Sequence, residues 1–159
     1  MRIEPFTRTQ LKGVLELALR AWAPVFVSIR EAMDGDVYES FYPDWRVSQR
    51  KAVADVCADP GARVWIAIAD DGAVAGFVAV RLHADSKLGE IYMLAVDPQH
   101  QRQGVGAALT AFALGWMKDA GMSVAMVETG FDPGHAPARA TYESAGFRVL
   151  PAARYFKKL

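Results

Sequence analysis

Leu94-Ala95-Val96-Asp97-Pro98-Gln99-His100-Gln101-Arg102-Gln103-Gly104-Val105-Gly106 is the stretch that decides how this chain folds. An apolar run from Ile91 to Val96 reads as a strand. Asp97-Pro98 stops it, because proline cannot donate to a ladder and turns the residue before it away from helix. A polar loop punctuated by glycine follows. Val105, Ala108, Leu109, Phe112, Ala113, Trp116 and Met117 then recur at helical spacing. A loop that joins a buried strand to a helix N-terminus gathers backbone N–H groups at the positive end of the helix dipole, which favours anions and phosphate above all. Gly104 and Gly106 let the backbone bend and leave no Cβ between the amides and a ligand.

The ligand is not fixed by the loop alone. Ala107 and Ala108 stand where a nucleotide-triphosphate loop ends in Lys-Ser/Thr, and the third glycine of the dinucleotide fingerprint is missing. A tight strand-to-helix turn with no ligand fits the same residues.

Gln101-x-x-Gly104-x-Gly106, preceded by Leu94-Ala95-Val96-Asp97-Pro98, resembles the acyl-CoA pyrophosphate loop of the GNAT superfamily of N-acetyltransferases. A later stretch, His135-Ala136-Pro137-Ala138-Arg139-Ala140-Thr141-Tyr142-Glu143-Ser144-Ala145-Gly146-Phe147, is similar to that family's Asn-x-x-Ala-x-x-x-Tyr-x-x-x-Gly-Phe motif. The two occur in the family's order, with room for one helix and one strand between them, and the resemblance runs from Val64 to the C-terminus. His135 stands where the family usually carries Asn, so a histidine N–H becomes the expected donor to the pantetheine arm.

The resemblance implies a mixed α/β fold: a central, mostly antiparallel sheet flanked by helices and splayed after the strand ending at Val96, between Val96 and Glu128-Thr129. It implies acetyl-CoA as acetyl donor and no metal. The donor site would comprise Leu94, Ala95 and Val96 on the strand, Gln101, Arg102, Gln103, Gly104, Val105, Gly106 and Ala107 on the loop, and His135, Ala138 and Tyr142 on the later motif. A backbone N–H near Leu94 or Ala95 is the candidate donor to the developing oxyanion. Tyr142 matches the family's acid, and a phenol of pKa about 10 is protonated at neutral pH and can serve a nascent thiolate. Packing of that ring on the sheet is the plainer reading of Tyr142.

Bulk properties bound the rest. The 159 residues suffice for one domain, 1–159, and are too few for two. Formal net charge is zero and no basic stretch stands out, so no nucleic-acid partner is expected. Neither a long apolar span nor a secretory signal is visible, which fits a cytoplasmic enzyme with no membrane partner. Cys57 is the only cysteine and sits in the apolar spacing of a helix, as a small buried side chain would.

Residues 1–60 read as acceptor-side helices and 61–159 as the acetyl-CoA-binding core. Met1 to Pro5 reads as a strand. A helical stripe of Leu11, Val14, Leu15, Ala18 and Trp22 follows, interrupted at Ala23-Pro24, with a second helical piece over Val25 to Met33. Val47 to Ala58 reads as a further helix. Strands are expected at Val64–Ala69, Ala73–Leu82 and Leu88–Val96, with Asp70-Asp71-Gly72 as a hairpin turn. After the helix that opens at Val105 come a strand over Ser123–Thr129, a short helix from Pro137, and two last strands, Phe147–Leu150 and Ala153–Phe156. That order makes one mixed α/β domain.

An amine nucleophile must lose a proton. Glu90, at the start of the strand that enters the loop and on one face with Tyr92 and Leu94 by alternation, is the first candidate base. Glu128 is the second, His135 and His83 are weaker, and a water relay with no single essential base is a further alternative. Trp22, Phe26, Tyr38 and Tyr42 with Glu39 and Asp44 can form an aromatic, acidic wall for a cationic amine; packing of the aromatics on the sheet and solvation of the acids is the alternative. The function expected is acetyl transfer to a primary amine of a small molecule or peptide by direct attack in a ternary complex. A catalytically silent acyl-CoA-binding regulatory module and a nucleotide-type phosphate binder are the alternatives, and a homodimer is possible.

Overall fold

The computed structural model describes residues 1–159. Strands β1 (Arg2–Pro5), β2 (Ala62–Ile68), β3 (Val74–His83), β4 (Leu88–Val96) and β5 (Val124–Val127) lie in chain order in one sheet. The first three pairings are antiparallel. The last, β4 with β5, is parallel, because helix α4 (Val105–Asp119) carries the chain back across the sheet. Helices α1 (Leu11–Ala32), α2 (Gly35–Phe41) and α3 (Trp45–Ala58) precede the β2–β4 meander, and α5 (Ala136–Ser144) follows β5.

Each face of the sheet buries its own cluster. Trp65, Val78, Val80 and Ile91 pack on Val105, Leu109, Ala113 and Met117 of α4. On the other face Ile66, Ile68, Phe77 and Ala95 pack on Val14, Leu17 and Ala18 of α1 and Val53 of α3. These are the stripes that helical and strand periodicity mark out.

The pairing of β3 with β4 slips between Ala79 and Val80: Ala79 faces Met93, whereas Val80 faces Ile91. Tyr92 is therefore an extra residue, a β-bulge, and a bulge reverses the side-chain alternation beyond it. Ile91, Leu94 and Val96 all lie on the α4 face. Glu90 lies on the opposite one with its cross-strand neighbour Arg81, which bonds Asp59 at the end of α3. The expectation that Glu90 shares a face with Leu94 is thus corrected; simple alternation fails wherever a residue is inserted.

The parallel ladder runs only from Leu88–Val124 to Ile91–Val127. Tyr92 to Val96 continue with β3 on one side and no strand on the other. The splay thus opens at Tyr92, within β4 and ahead of Val96, and β5 ends before Glu128 because its partner has diverged.

Two further expectations are revised. Pro24 does not divide α1, which runs unbroken over 22 residues. Both halves bury residues, Val14, Leu15, Leu17 and Ala18 before the proline and Val25, Phe26 and Ser28 after it, and that packing outweighs the roughly 3 kcal/mol that an interior proline costs. Phe147–Leu150 and Ala153–Phe156 form no strands. A strand needs a partner edge, and the tail instead leaves the sheet for α2. The Phe156 ring meets Phe41 at 5.3 Å, and Lys158 Nζ donates to Ser40 Oγ at 2.7 Å.

Pro24 is exposed and sits well inside α1. Replacing it with alanine restores a donor for the Arg20 carbonyl, and only the lost rigidity of the unfolded chain opposes the gain. Pro24→Ala is expected to raise stability by about 1–2 kcal/mol, read from the urea midpoint at unchanged slope.

Candidate active site

Gly104 N-caps α4 with φ +81°, a conformation that costs a residue with a Cβ about 1–2 kcal/mol. Arg102, two residues before, holds φ +60° without being glycine, and such local strain persists where a loop is over-determined by its surroundings. Gly106 is different. It is inside the helix, and a Cβ there would meet Val96 and Thr141 only at ordinary contact distances, 3.6 and 3.7 Å. It serves as open space rather than as a bend.

The N–H groups from Gln101 to Ala107 donate to no group of the protein. Ala108 is the first with a backbone partner, bonding the Gly104 carbonyl at 2.9 Å. Seven consecutive free donors at the N-terminus of a 15-residue helix make an anion cradle. Side chains brace it from within: Gln101 Nε2 donates to the Val96 carbonyl (3.2 Å), Gln103 Nε2 to that of Gln99 (3.0 Å), and Thr110 Oγ1 to that of Gly106 (2.8 Å).

Asp97 anchors the cradle. Its side chain accepts from Gln99 N at 2.9 Å and pairs with Arg20 of α1, whose Nε lies 3.1 Å away. Asp97 is buried. Burial alone would raise its pKa, but the bonds from Arg20 and Gln99 hold the carboxyl below the usual carboxylate range.

Thr141 of α5 lies beside Gly106, and Tyr142 follows it on that helix. Tyr142 is buried, and burial pushes its pKa up to about 12. Its ring packs edge-on against Phe147 at 5.9 Å, and its hydroxyl has no partner in the protein. It is therefore both a packed aromatic and a free donor, held protonated. Cys57 is half-buried with its thiol pushed up to about 11 by desolvation, which suits an inert side chain.

Of the candidate bases, Glu90 and His83 are paired with each other, whereas Glu128 and His135 each hold a different partner. Glu90 Oε2 is 2.8 Å from His83 Nε2, in the part of β4 that still pairs with β5. Glu128 lies just past β5, exposed, and pairs with Arg154 of the tail. His135 N-caps α5, and its Nδ1 is 2.5 Å from Asp132 Oδ1.

The aromatic wall divides. Trp22 packs against Phe77 in the core, with ring centroids 6.2 Å apart. Phe26 stacks on Trp45 at 4.5 Å and meets Tyr42 edge-on at 5.2 Å; Tyr42 lies 5.3 Å from Tyr38. Glu39 pairs with Arg30 at 3.0 Å. The Asp44 carboxylate caps α3, accepting from Arg46 N and Val47 N at 3.1 and 3.2 Å.

Sequence reasoning passed over Asp132, Arg20 and Arg139. Asp132-Pro133-Gly134-His135 carries a readable signal, a capping aspartate before a first-turn proline with histidine three residues on. No such local signal exists for Arg20, which is 77 positions from Asp97.

A run of free amides at the root of a splayed sheet edge, with α5 packed against it through Thr141, is the geometry these elements build. The family model described as Acetyltransferase (GNAT) family matches residues 30–147, and the chain belongs to that family. It is similar to a mycothiol acetyltransferase of Segniliparus rotundus, 34% identical over 110 residues, which span 66% of this chain and 40% of that protein. A mycothiol acetyltransferase of Streptomyces coelicolor is 38% identical over 77 residues, covering 48% of this chain and 24% of the relative. The chain thus spans less than half the length of these curated relatives. Among solved structures, the fold is shared with an aminoglycoside 6'-N-acetyltransferase from Acinetobacter haemolyticus (TM-score 0.70, 20% identity, 100% of this chain and 99% of that one). An aminoglycoside N-acetyltransferase in complex with CoA also shares it (TM-score 0.63, 17% identity, 99% of both chains).

A carboxyl whose folded pKa is depressed adds stability above its unfolded pKa, and that stability is lost as pH falls through the folded value. Asp97→Asn keeps an acceptor for Gln99 N and removes the charge facing half-exposed Arg20. The variant is expected to be about 1–2 kcal/mol less stable at pH 7. That gap should close as pH drops below about 4, followed by urea unfolding across pH 2–7.

Proposed function

We propose that this chain transfers the acetyl group of acetyl-CoA to a primary amine of a small molecule, by direct attack of the amine in a ternary complex. The observation that carries this is the run of seven unpaired amides from Gln101 to Ala107, which follows directly on the unpaired edge of β4. The cradle would hold the pyrophosphate, and the edge of β4 at Leu94 and Val96 would pair with the pantetheine arm as an added strand does. An N–H near Leu94 or Ala95 would meet the carbonyl oxygen as charge develops on it, with Tyr142 donating to the sulfur. Ala138, on the first turn of α5, would border the same arm.

A small-molecule acceptor is supported by the relatives, which are named for mycothiol and aminoglycosides. Tyr42 and Glu39, backed by the buried rings of Phe26 and Tyr38, would offer an aromatic and acidic border to a cationic amine. Trp22 and Asp44 have structural tasks and would contribute only at its margin. Glu90 would remove the first proton of the ammonium through a water, since His83 occupies one of its oxygens, and Glu128 would add negative charge nearby. The cytoplasm, which supplies acetyl-CoA, is the proposed compartment; no helix is long and apolar enough to cross a membrane. The exposed tail residues Val149, Leu150, Tyr155 and Leu159 support a second copy as their cover.

Thiol release from acetyl-CoA against a panel of amines tests the proposal. Tyr142→Phe is expected to lower kcat about a hundredfold, the low end for removing a hydrogen-bond donor aimed at developing charge, with acetyl-CoA affinity by calorimetry unchanged. Full turnover in that variant removes Tyr142 from the mechanism. Glu90→Gln is expected to cost about a hundredfold in kcat as well, and unchanged turnover would dismiss Glu90 as a base. Tight acetyl-CoA binding with no release by any amine would instead identify a binding module.

A further inference from the structure

Asp132, Gly134 and His135 form a small built unit between α1 and α5. Asp132 Oδ1 is 2.5 Å from His135 Nδ1, and Asp132 Oδ2 accepts from Gly134 N at 3.1 Å. Gly134 N also reaches Ser28 Oγ of α1 at 2.9 Å. Arg139 Nη1 donates to the carbonyls of Gly130 and Asp132, at 2.6 and 2.9 Å. The Asp132 and His135 side chains are 11% and 19% exposed, so the pair is sheltered but reachable. No space is spare around it: a Cβ on Gly130 would lie 2.6 Å from His135 Nδ1, and one on Gly134 would lie 2.7 Å from Ser28 Cβ.

This contact decides what His135 can offer. Its Nδ1–H donates to the carboxylate, so the neutral ring presents a bare lone pair at Nε2, which has no partner in the protein. The ring therefore does not present the N–H that an amide in its place would supply. It presents a base, oriented by a carboxylate that also steadies the imidazolium once formed.

The unit also sits at a useful point. His135 opens the helix that carries Tyr142 seven residues on, two turns and about 10 Å along the same face. Ser28 is two positions from Phe26 of the aromatic surface, and Gly130 follows the arm of β5 that parts from β4. The unit thus joins α1 to the helix that carries Tyr142.

We propose that His135, held in one tautomer by Asp132, is a second proton-transfer residue: it takes the proton from the amine nitrogen after attack and returns it to the CoA sulfur. The assignment rests on the acetyl-transfer reading. The overall change, R–NH3⁺ plus acetyl–S–CoA to R–NH–acetyl plus HS–CoA plus H⁺, strips two protons from one nitrogen. The first leaves before attack, since only the free amine has a lone pair. Attack forms the C–N bond and leaves a positive nitrogen and an oxyanion. His135 Nε2 takes the second proton; the oxyanion collapses, the C–S bond breaks, and the imidazolium protonates the thiolate. Tyr142, at about 12, hydrogen-bonds that sulfur without surrendering its own proton. Asp132 acts as a positioning residue.

Two measurements on the full chain test this. Nitrogen-15 spectra of the imidazole above its titration should show Nδ1 protonated and Nε2 bare in the wild type, a preference that Asp132→Asn should abolish. Protonation at Nε2 would overturn the proposal without any substrate. Kinetically, His135→Asn should lower kcat about a hundredfold while acetyl-CoA affinity by calorimetry stays within about threefold. An active wild type with equally active His135→Asn overturns the assignment and leaves the acetyl-transfer reading intact. A wild type that binds acetyl-CoA yet acetylates no amine overturns the reading itself.

Discussion

Strand β4 has partners on both sides only from Leu88 to Ile91, and much of the structure answers that constraint. Backbone donors and acceptors cannot be left buried and unpaired. Beyond the bulge at Tyr92 one edge of β4 faces no strand, so it must face solvent, a side chain or a ligand. Gln101 Nε2 meets the Val96 carbonyl at the far end. The rest of that edge is a strip of hydrogen-bonding groups for an extended molecule, and an edge of this kind recognises amide-bearing chains by strand addition. The chain leaves it by the loop whose seven free amides favour phosphate. A ligand that is amide-bearing at one end and phosphorylated at the other matches both surfaces.

The bulge also reassigns faces. Without it Leu94 and Glu90 would share a side and the apolar alternation of β4 would be out of step with α4. With it, Ile91, Leu94 and Val96 all reach α4, while Glu90, Arg81 and His83 gather on the other face. The Arg81 guanidinium lies 3.6 Å over the Tyr92 ring, so the extra residue is pinned by stacking rather than left loose. One inserted residue thus sets both the donor edge and the surroundings of Glu90.

What could be read in the sequence was local. The cradle is contiguous in the chain, and Asp97-Pro98, Gly104 and the stripe from Val105 to Met117 announce it with no tertiary information. The meander was legible for the same reason. The bulge was not, because it is a property of two strands' register and Tyr92 has nothing unusual about it alone. Pro24 misled because helix propensity is outweighed when both flanking turns bury side chains. The tail misled because Phe147–Leu150 and Ala153–Phe156 have strand composition without an edge to pair with. Tyr142 stands out in the sequence by its motif alone. Its raised pKa does not, since burial is set by Phe147 and the packing of α5.

Helix α1 ties the two halves of the site together, and its unbroken course through Pro24 is what allows this. Arg20, before the proline, grips Asp97 at the root of the cradle. Phe26 and Ser28, after it, touch the rings of Tyr42 and Trp45 and the turn at Gly134 that precedes His135. Had the helix ended at Ala23, the second half would pack as an independent piece, and the spacing between the cradle and the proposed acceptor side would be fixed only through the sheet. A continuous rod sets that spacing directly, at 1.5 Å per residue. Attack of one bound molecule on another gains most from this kind of rigidity, because misplacement by even one ångström between reacting groups is costly in rate.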